Sequence, residues 1–243
     1  MSAEVKVICI AIFLSFGLGA TAQRRVGERF EIRSQAFYLP ATQPNKTFKH
    51  NIGLADFFLP SDWTNVNLNA PMLTYSARYY LPARFSIEGG IHTLYVANKF
   101  SLGLNWNHSF NDHFHFGVSY LAAYNLGILH DDYQFATIVT AITYSPSIAF
   151  GYSTKETAFT LRGGIEHLSN VNFQTGSNVV TDHYSFINGG YIKATMEQRL
   201  WKHHVISFSV EIDRMQFVIV AWPAYPVNNK RYIIPQTTLA ITL

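Results

Sequence analysis

The chain has 243 residues and a formal net charge of +3; 48% of it is hydrophobic, 15% aromatic and only 14% charged. A typical soluble domain is about 25% charged, so this chain is poor in charge and fits either an all-β soluble protein, such as a β-sandwich or a lipocalin-like cup, or a membrane β-barrel; the lack of any basic cluster argues against a nucleic-acid partner. The one cysteine, Cys9, falls in the N-terminal apolar run, so the rest of the chain has no disulfide, thiol chemistry or cysteine-ligated metal.

Residues 1–22 read as a cleaved signal peptide. Lys6 supplies a positive start, "VICIAIFLSFGLG" an apolar stretch, and Ala20 and Ala22 the small residues before a cut ahead of Gln23. Beyond it no apolar run reaches the roughly 18 residues of a membrane helix. Residues 23–46 form an N-terminal segment. Within it "RFEIRSQAFYLP" (29–40) predicts an additional strand that crosses the membrane or lies at the periplasmic rim.

From residue 47 to 243 the dominant signal is alternation with period two. In 98–108, Phe100, Leu102, Leu104 and Trp106 share one face, and Asn105 and Asn107 the other. In 113–126, Phe114, Val118, Tyr120 and Tyr124 oppose His115, Ser119 and Asn125. In 203–218, Ile206, Phe208, Val210 and Ile212 alternate with Ser207, Ser209, Glu211 and Asp213. The pattern predicts ten strands, about 47–59, 70–81, 84–95, 98–108, 113–126, 136–152, 157–169, 184–199, 203–220 and 231–243. The segment at 29–40 and a partner for it would raise ten to twelve. Many of these strands suit a tilted membrane strand of roughly 9–11 residues better than a soluble sheet.

Short links near 82, 110, 154 and 201 fall on one rim; longer ones near 60–70, 127–135, 170–183 and 221–230 fall on the other, with the short link at 96–97 as an exception. Short turns on the periplasmic rim and long loops outside are the outer-membrane pattern. The fold class is therefore all-β, an antiparallel transmembrane outer-membrane β-barrel of about 10 strands, exported to the bacterial outer membrane. The polar faces place Arg78, Glu88, Arg162, Glu166, Lys193, Glu197, Glu211 and Asp213 in the lumen, where charges fill a narrow barrel by pairing.

The stretch "GIEHLSNVNF" ends the seventh strand. Arg162 and Glu166 belong inside, because a charge facing lipid near the midplane costs roughly 2–4 kcal/mol. His167 and Ser169 then face outward, at the cell-surface rim. The next strand carries Asp182 on what reads as the same face, in register with Ile192. A carboxylate, an imidazole and a hydroxyl converging on one patch can activate a serine for attack on an ester. His and Ser at i and i+2 stand about 7 Å apart along a strand, within side-chain reach. Asn170, or a backbone N–H beside it, would steady the oxyanion.

"EHLSN", followed at a distance by "DHYSF", resembles the lipid A 3-O-deacylase (PagL-type) family of outer-membrane enzymes. The resemblance implies His167 as base, Ser169 as nucleophile, Asn170 at the oxyanion and Asp182 as the orienting acid. It implies an esterase that needs no metal or other cofactor and removes an ester-linked acyl chain from lipid A or a similar outer-leaflet lipid. The family usually has Glu at the acid position and an eight-stranded barrel.

Other polar groups read as structural. His203 and His204 sit at a predicted periplasmic turn; His113 and His115 share a lumen face without a third ligand. "HDD" (130–132) lies in a long loop and could meet a divalent cation bridging lipopolysaccharide, with a solvated loop as the default. Trp63, Trp106, Trp201 and Trp222 fall near strand ends, as in an aromatic girdle. The alternatives to the esterase are a non-enzymatic structural or adhesive barrel and a small pore.

Overall fold

A computed structural model gives the fold and describes residues 30–61, 68–94, 96–130, 136–176, 178–201, 204–219 and 230–243. The signal-peptide reading, Trp63, Trp222, His203 and the two aspartates of "HDD" lie outside the described residues.

Ten antiparallel strands close into a barrel: β1 (Phe48–Leu59), β2 (Leu68–Tyr80), β3 (Phe85–Leu94), β4 (Ala97–Ser109), β5 (Phe114–His130), β6 (Ala136–Ser153), β7 (Thr157–Thr175), β8 (Asn178–Trp201), β9 (His204–Met215) and β10 (Tyr232–Thr242). Neighbours in sequence pair throughout, and β1 pairs β10 to close the ring, Gly53 opposite Ala240. Closure leaves no strand edge to be satisfied by solvent, as a hydrocarbon environment requires.

The alternation sorts side chains as expected. Outward stand Ile52, Leu102, Tyr120, Phe150, Leu161, Ile192 and Ile212, each about half exposed or more. Such a continuous apolar exterior is far larger than a water-soluble monomer carries, and makes the barrel a membrane-spanning one of the outer-membrane type. Inward stand Arg78, His115, Ser119, Glu197, Ser207 and Asp213, all nearly inaccessible. Aromatic and imidazole rings gather toward the short-turn rim, with Trp106 stacked on His108 and His108 edge-on to Phe110.

The lumenal charges pair. Arg78 donates through Nε to Glu88 at 3.1 Å, Lys193 lies 3.0 Å from Glu211, and Lys99 lies 3.5 Å from Glu166. Arg162 donates to the Ser119 hydroxyl at 3.0 Å. Lys49 and Lys99, absent from the sequence-based set, join them inside.

Several boundaries differ from expectation. The predicted loop at 170–183 is almost entirely strand: β7 and β8 run on to Thr175 and back from Asn178, with Gly176 at φ 59 in the tip. The pattern hid this because the β7–β8 register shifts four times between Glu166 and Gln174, breaking the alternation. β9 stops at Met215 rather than 220, and Phe217, Val218 and Ile219 turn inward to bury against the barrel wall.

Of the segment at 29–40, the described residues, 30–40, form no additional strand. They hold one short helix, α1 (Ile32–Gln35), and then an irregular run, bent at Phe37–Leu39, that enters the short-turn mouth. Ile32, Ala36, Leu39 and Ala41 pack there against Ala158 and Val205 of the wall. Its alternation failed to make a strand because lumenal side chains, not a neighbouring strand, take its backbone groups.

Candidate functional site

His167 and Ser169 lie near the long-loop end of β7. His167 pairs with Tyr144 on β6 and Ile187 on β8. Ile187 is 56% exposed on the outer wall, so His167 faces outward too. Its neighbours Glu166 and Leu168 point inward and are buried. The expected orientation, carboxylate inside and imidazole outside, is the one observed.

A β-bulge follows. Leu168 pairs with Phe186 and Val171 with Tyr184, so Ser169 and Asn170 together oppose the single residue Ser185. Asn170 takes φ 51, the left-handed region that Asn tolerates better than most residues. After the bulge the alternation has slipped by one, and Val171 and Phe173 now point inward beside Leu168. Bulges re-aim side chains in this way and are frequent beside functional sites.

The bulge gathers three polar side chains on the outer wall: half-buried His167 and Ser169, and exposed Ser185. His167 Nε2 lies 3.2 Å from the Ser185 hydroxyl, and its ring sits 6.3 Å from that of Tyr144, tilted by 31°. Among the described residues the hydrogen-bond partner of His167 is therefore Ser185, not Ser169. The sequence reading missed Ser185, although "DHYSF" contains it, because a cross-strand neighbour depends on register.

The register of β8 also differs from expectation. Asn188 is an extra residue: Glu166 pairs with Gly189, and His167 with Ile187. Asn188 is fully buried in the lumen, and Phe186 packs inward beside Leu168 and Phe217, whereas both were expected on the lipid side with Ile192. The slip removes the basis for carrying the lipid-side register from Ile192 up to Asp182. Asp182 lies within β8, but its side chain is outside the described residues.

Behind this patch the lumen is filled. Asn188 Nδ2 donates to Glu166 Oε1 and to the Phe217 carbonyl, each at 2.7 Å, and Asn188 Oδ1 accepts the Phe217 N–H at 2.9 Å. Phe217 and Ile219 pack on Val139, Leu168 and Val171, forming an apolar lid across the lumen behind His167. Between this lid and the N-terminal segment lies a polar cavity of about 200 Å³, walled by Tyr38, His92, Lys99, Arg162, Lys193 and Asp213 among others.

Other candidates are accounted for. His115 is buried, with Nδ1 2.9 Å from the Ser109 hydroxyl and Nε2 2.9 Å from the Ser153 hydroxyl. His113 Nδ1 lies 2.8 Å from the Ser153 carbonyl. Trp201 and His204 meet edge-on at the short-turn rim. Among the described residues no cluster of His, Cys, Asp and Glu could hold a metal ion.

No protein-family model matches the sequence, and neither does any curated protein. Solved structures do match. Ail, the attachment invasion locus protein of Yersinia pestis, solved with the heparin analogue sucrose octasulfate, is 11% identical with a TM-score of 0.34, over 82% of this chain and 100% of that one. The translocator domain of the autotransporter NalP from Neisseria meningitidis is 10% identical with a TM-score of 0.37, over 82% and 88%. CdiB from Acinetobacter baumannii is 11% identical with a TM-score of 0.33, over 69% of this chain; the chain spans 31% of CdiB's length. Likenesses at this level carry no argument about activity. The architecture rests on the strand pairing of the chain itself.

Proposed function

We propose that this outer-membrane barrel is a surface-facing serine esterase acting on an acylated outer-leaflet lipid of the lipid A type. The observation that carries the reading is an imidazole on the lipid-facing wall, at the outer rim, within hydrogen-bonding distance of a serine hydroxyl. Two polar groups there lose hydration and are expensive unless they meet the headgroup region.

His167 acts as general base. Its Nε2 takes the proton of the attacking hydroxyl as Oγ bonds to the ester carbonyl carbon. The tetrahedral oxyanion collapses, the sugar alkoxide leaves with the proton from the imidazolium, and water then hydrolyses the acyl-serine by the same steps. The family resemblance names Ser169 as the nucleophile. The hydrogen bond favours Ser185, which already holds the base. Asn170 at the bulge is the candidate oxyanion group, and Asp182 the candidate acid.

The second reading is a non-enzymatic structural or adhesive barrel. It is favoured by a specific observation: among the described residues no carboxylate is hydrogen-bonded to His167. A permanently open pore fits poorly with a lumen occupied at both ends. Mass spectrometry of lipid A from cells making the wild type or His167→Ala separates the two readings. An acyl chain lost only with the wild type supports the esterase; identical spectra sink it.

A further inference from the structure

The short-turn mouth is closed by the chain's own N-terminal segment, and how that segment is held is the most built feature of the lumen. Glu197, fully buried on β8, accepts three consecutive backbone N–H groups: Phe37 at 2.7 Å, Tyr38 at 3.1 Å and Leu39 at 2.9 Å. Two cations cap the adjoining carbonyls. Arg78 donates to Phe37 O at 2.7 Å, and Lys49 to Ala36 O at 2.8 Å. The wall is also shaped to the segment. A Cβ on Gly117 would stand 2.7 Å from Pro40, and one on Gly151 2.7 Å from Leu39, both closer than real Cβ contacts come.

The same segment is separable. Among the described residues it pairs with no strand, and the β1–β10 seam closes the ring without it. It precedes β1, so it can leave the mouth without threading and without breaking a strand pair. Its removal would put water where three N–H groups and two carbonyls now sit, leaving Glu197 beside solvent rather than orphaned in a dry interior. Directly behind its tip, at Tyr38, is the polar cavity.

We propose that residues 30–43 are a releasable plug, latched on Glu197, that gates access from the periplasmic side to the lumenal cavity for small polar solutes. The plug reads the wall through its backbone, and the bend at Phe37–Leu39 turns three successive N–H groups onto Glu197, so its seat is a site for a bent peptide backbone, occupied in cis. This gate stands apart from the outer-wall esterase reading and needs none of His167, Ser169 or Ser185.

The test uses the full-length protein with Cys9 replaced by Ser and a single reporter thiol, Ala158→Cys, under the plug. In the otherwise unaltered protein the thiol should resist a small water-soluble maleimide. Glu197→Gln, which removes the latch charge, and Gly117→Val, which fills the space of Pro40 without touching Glu197, should each speed modification at least tenfold. Only barrels with heat-modifiable, folded mobility in gel electrophoresis are compared. A thiol still protected in both folded variants overturns the gate. So does a thiol that reacts as fast before the latch is altered as after. Acceleration by Gly117→Val alone overturns the role of Glu197.

Discussion

The imidazole of His167 lies 3.2 Å from the hydroxyl of Ser185, a residue on the neighbouring strand, rather than bonding Ser169 two positions along its own. The contact exists because the bulge sets Ser169 and Asn170 against Ser185 and lets the outer faces of β7 and β8 meet diagonally. Esterase assays on a purified acylated lipid substrate distinguish the two serines. Under the proposed esterase reading, with the Ser185 hydroxyl beside His167 as the attacking group, Ser185→Ala lowers kcat by about 10³-fold or more and Ser169→Ala by far less. The reverse ranking returns the nucleophile to Ser169.

A charge placed on the outer belt reports the membrane. Leu102 is 63% exposed, and in water Leu102→Arg would be near neutral. In a bilayer it should cost about 2–4 kcal/mol, less nearer an interface. Urea unfolding in lipid vesicles measures it, and an unchanged midpoint would contradict the lipid-facing assignment.

Arg78 joins two parts of the interior, since one guanidinium binds both Glu88 and the Phe37 carbonyl. Arg78→Met removes the cation from the half-buried Glu88 carboxylate, leaving it the Asn105 amide, and uncaps the plug. The expected destabilisation is about 3–5 kcal/mol, seen as a lower temperature for loss of the compact gel band. Arg78→Met with Glu88→Gln should recover part of it, because the orphaned charge is then gone.

Asn188 ties the lid to the wall through bonds to Phe217 and Glu166. Asn188→Leu removes all of them, at about 1–3 kcal/mol for each buried polar group that loses its hydrogen bond. The segment after β9 should then become a site of rapid proteolysis in intact barrels. Cleavage no faster than in the wild type would show that packing of Phe217 and Ile219 alone holds the lid.

Much of the barrel was legible along the chain because a closed sheet in lipid imposes one local rule, outward apolar and inward polar, at every second residue. Leu102 against Asn105 on β4 and Ile212 against Asp213 on β9 show it directly. The rule also placed Glu166 inside and His167 outside, since adjacent residues on an unbroken strand must take opposite faces.

It failed wherever the period itself changed. The extra residue Asn188 shifts the faces of Phe186 and Ile187, and the bulge at Ser169 and Asn170 those of Val171 and Phe173, and neither leaves a compositional mark. Ser185 as the partner of His167, the inward lid at Phe217 and the latch between Glu197 and Phe37 all depend on contacts across the ring. The sequence by itself determined that this chain closes into a membrane barrel with a charged lumen, because that follows from local alternation. Which residues meet at the outer rim, and that residues 30–43 stopper the lumen, only the tertiary structure decided, because cross-strand register and lumenal packing are set by residues as far apart in the chain as Phe37 and Glu197 or Asn51 and Thr242.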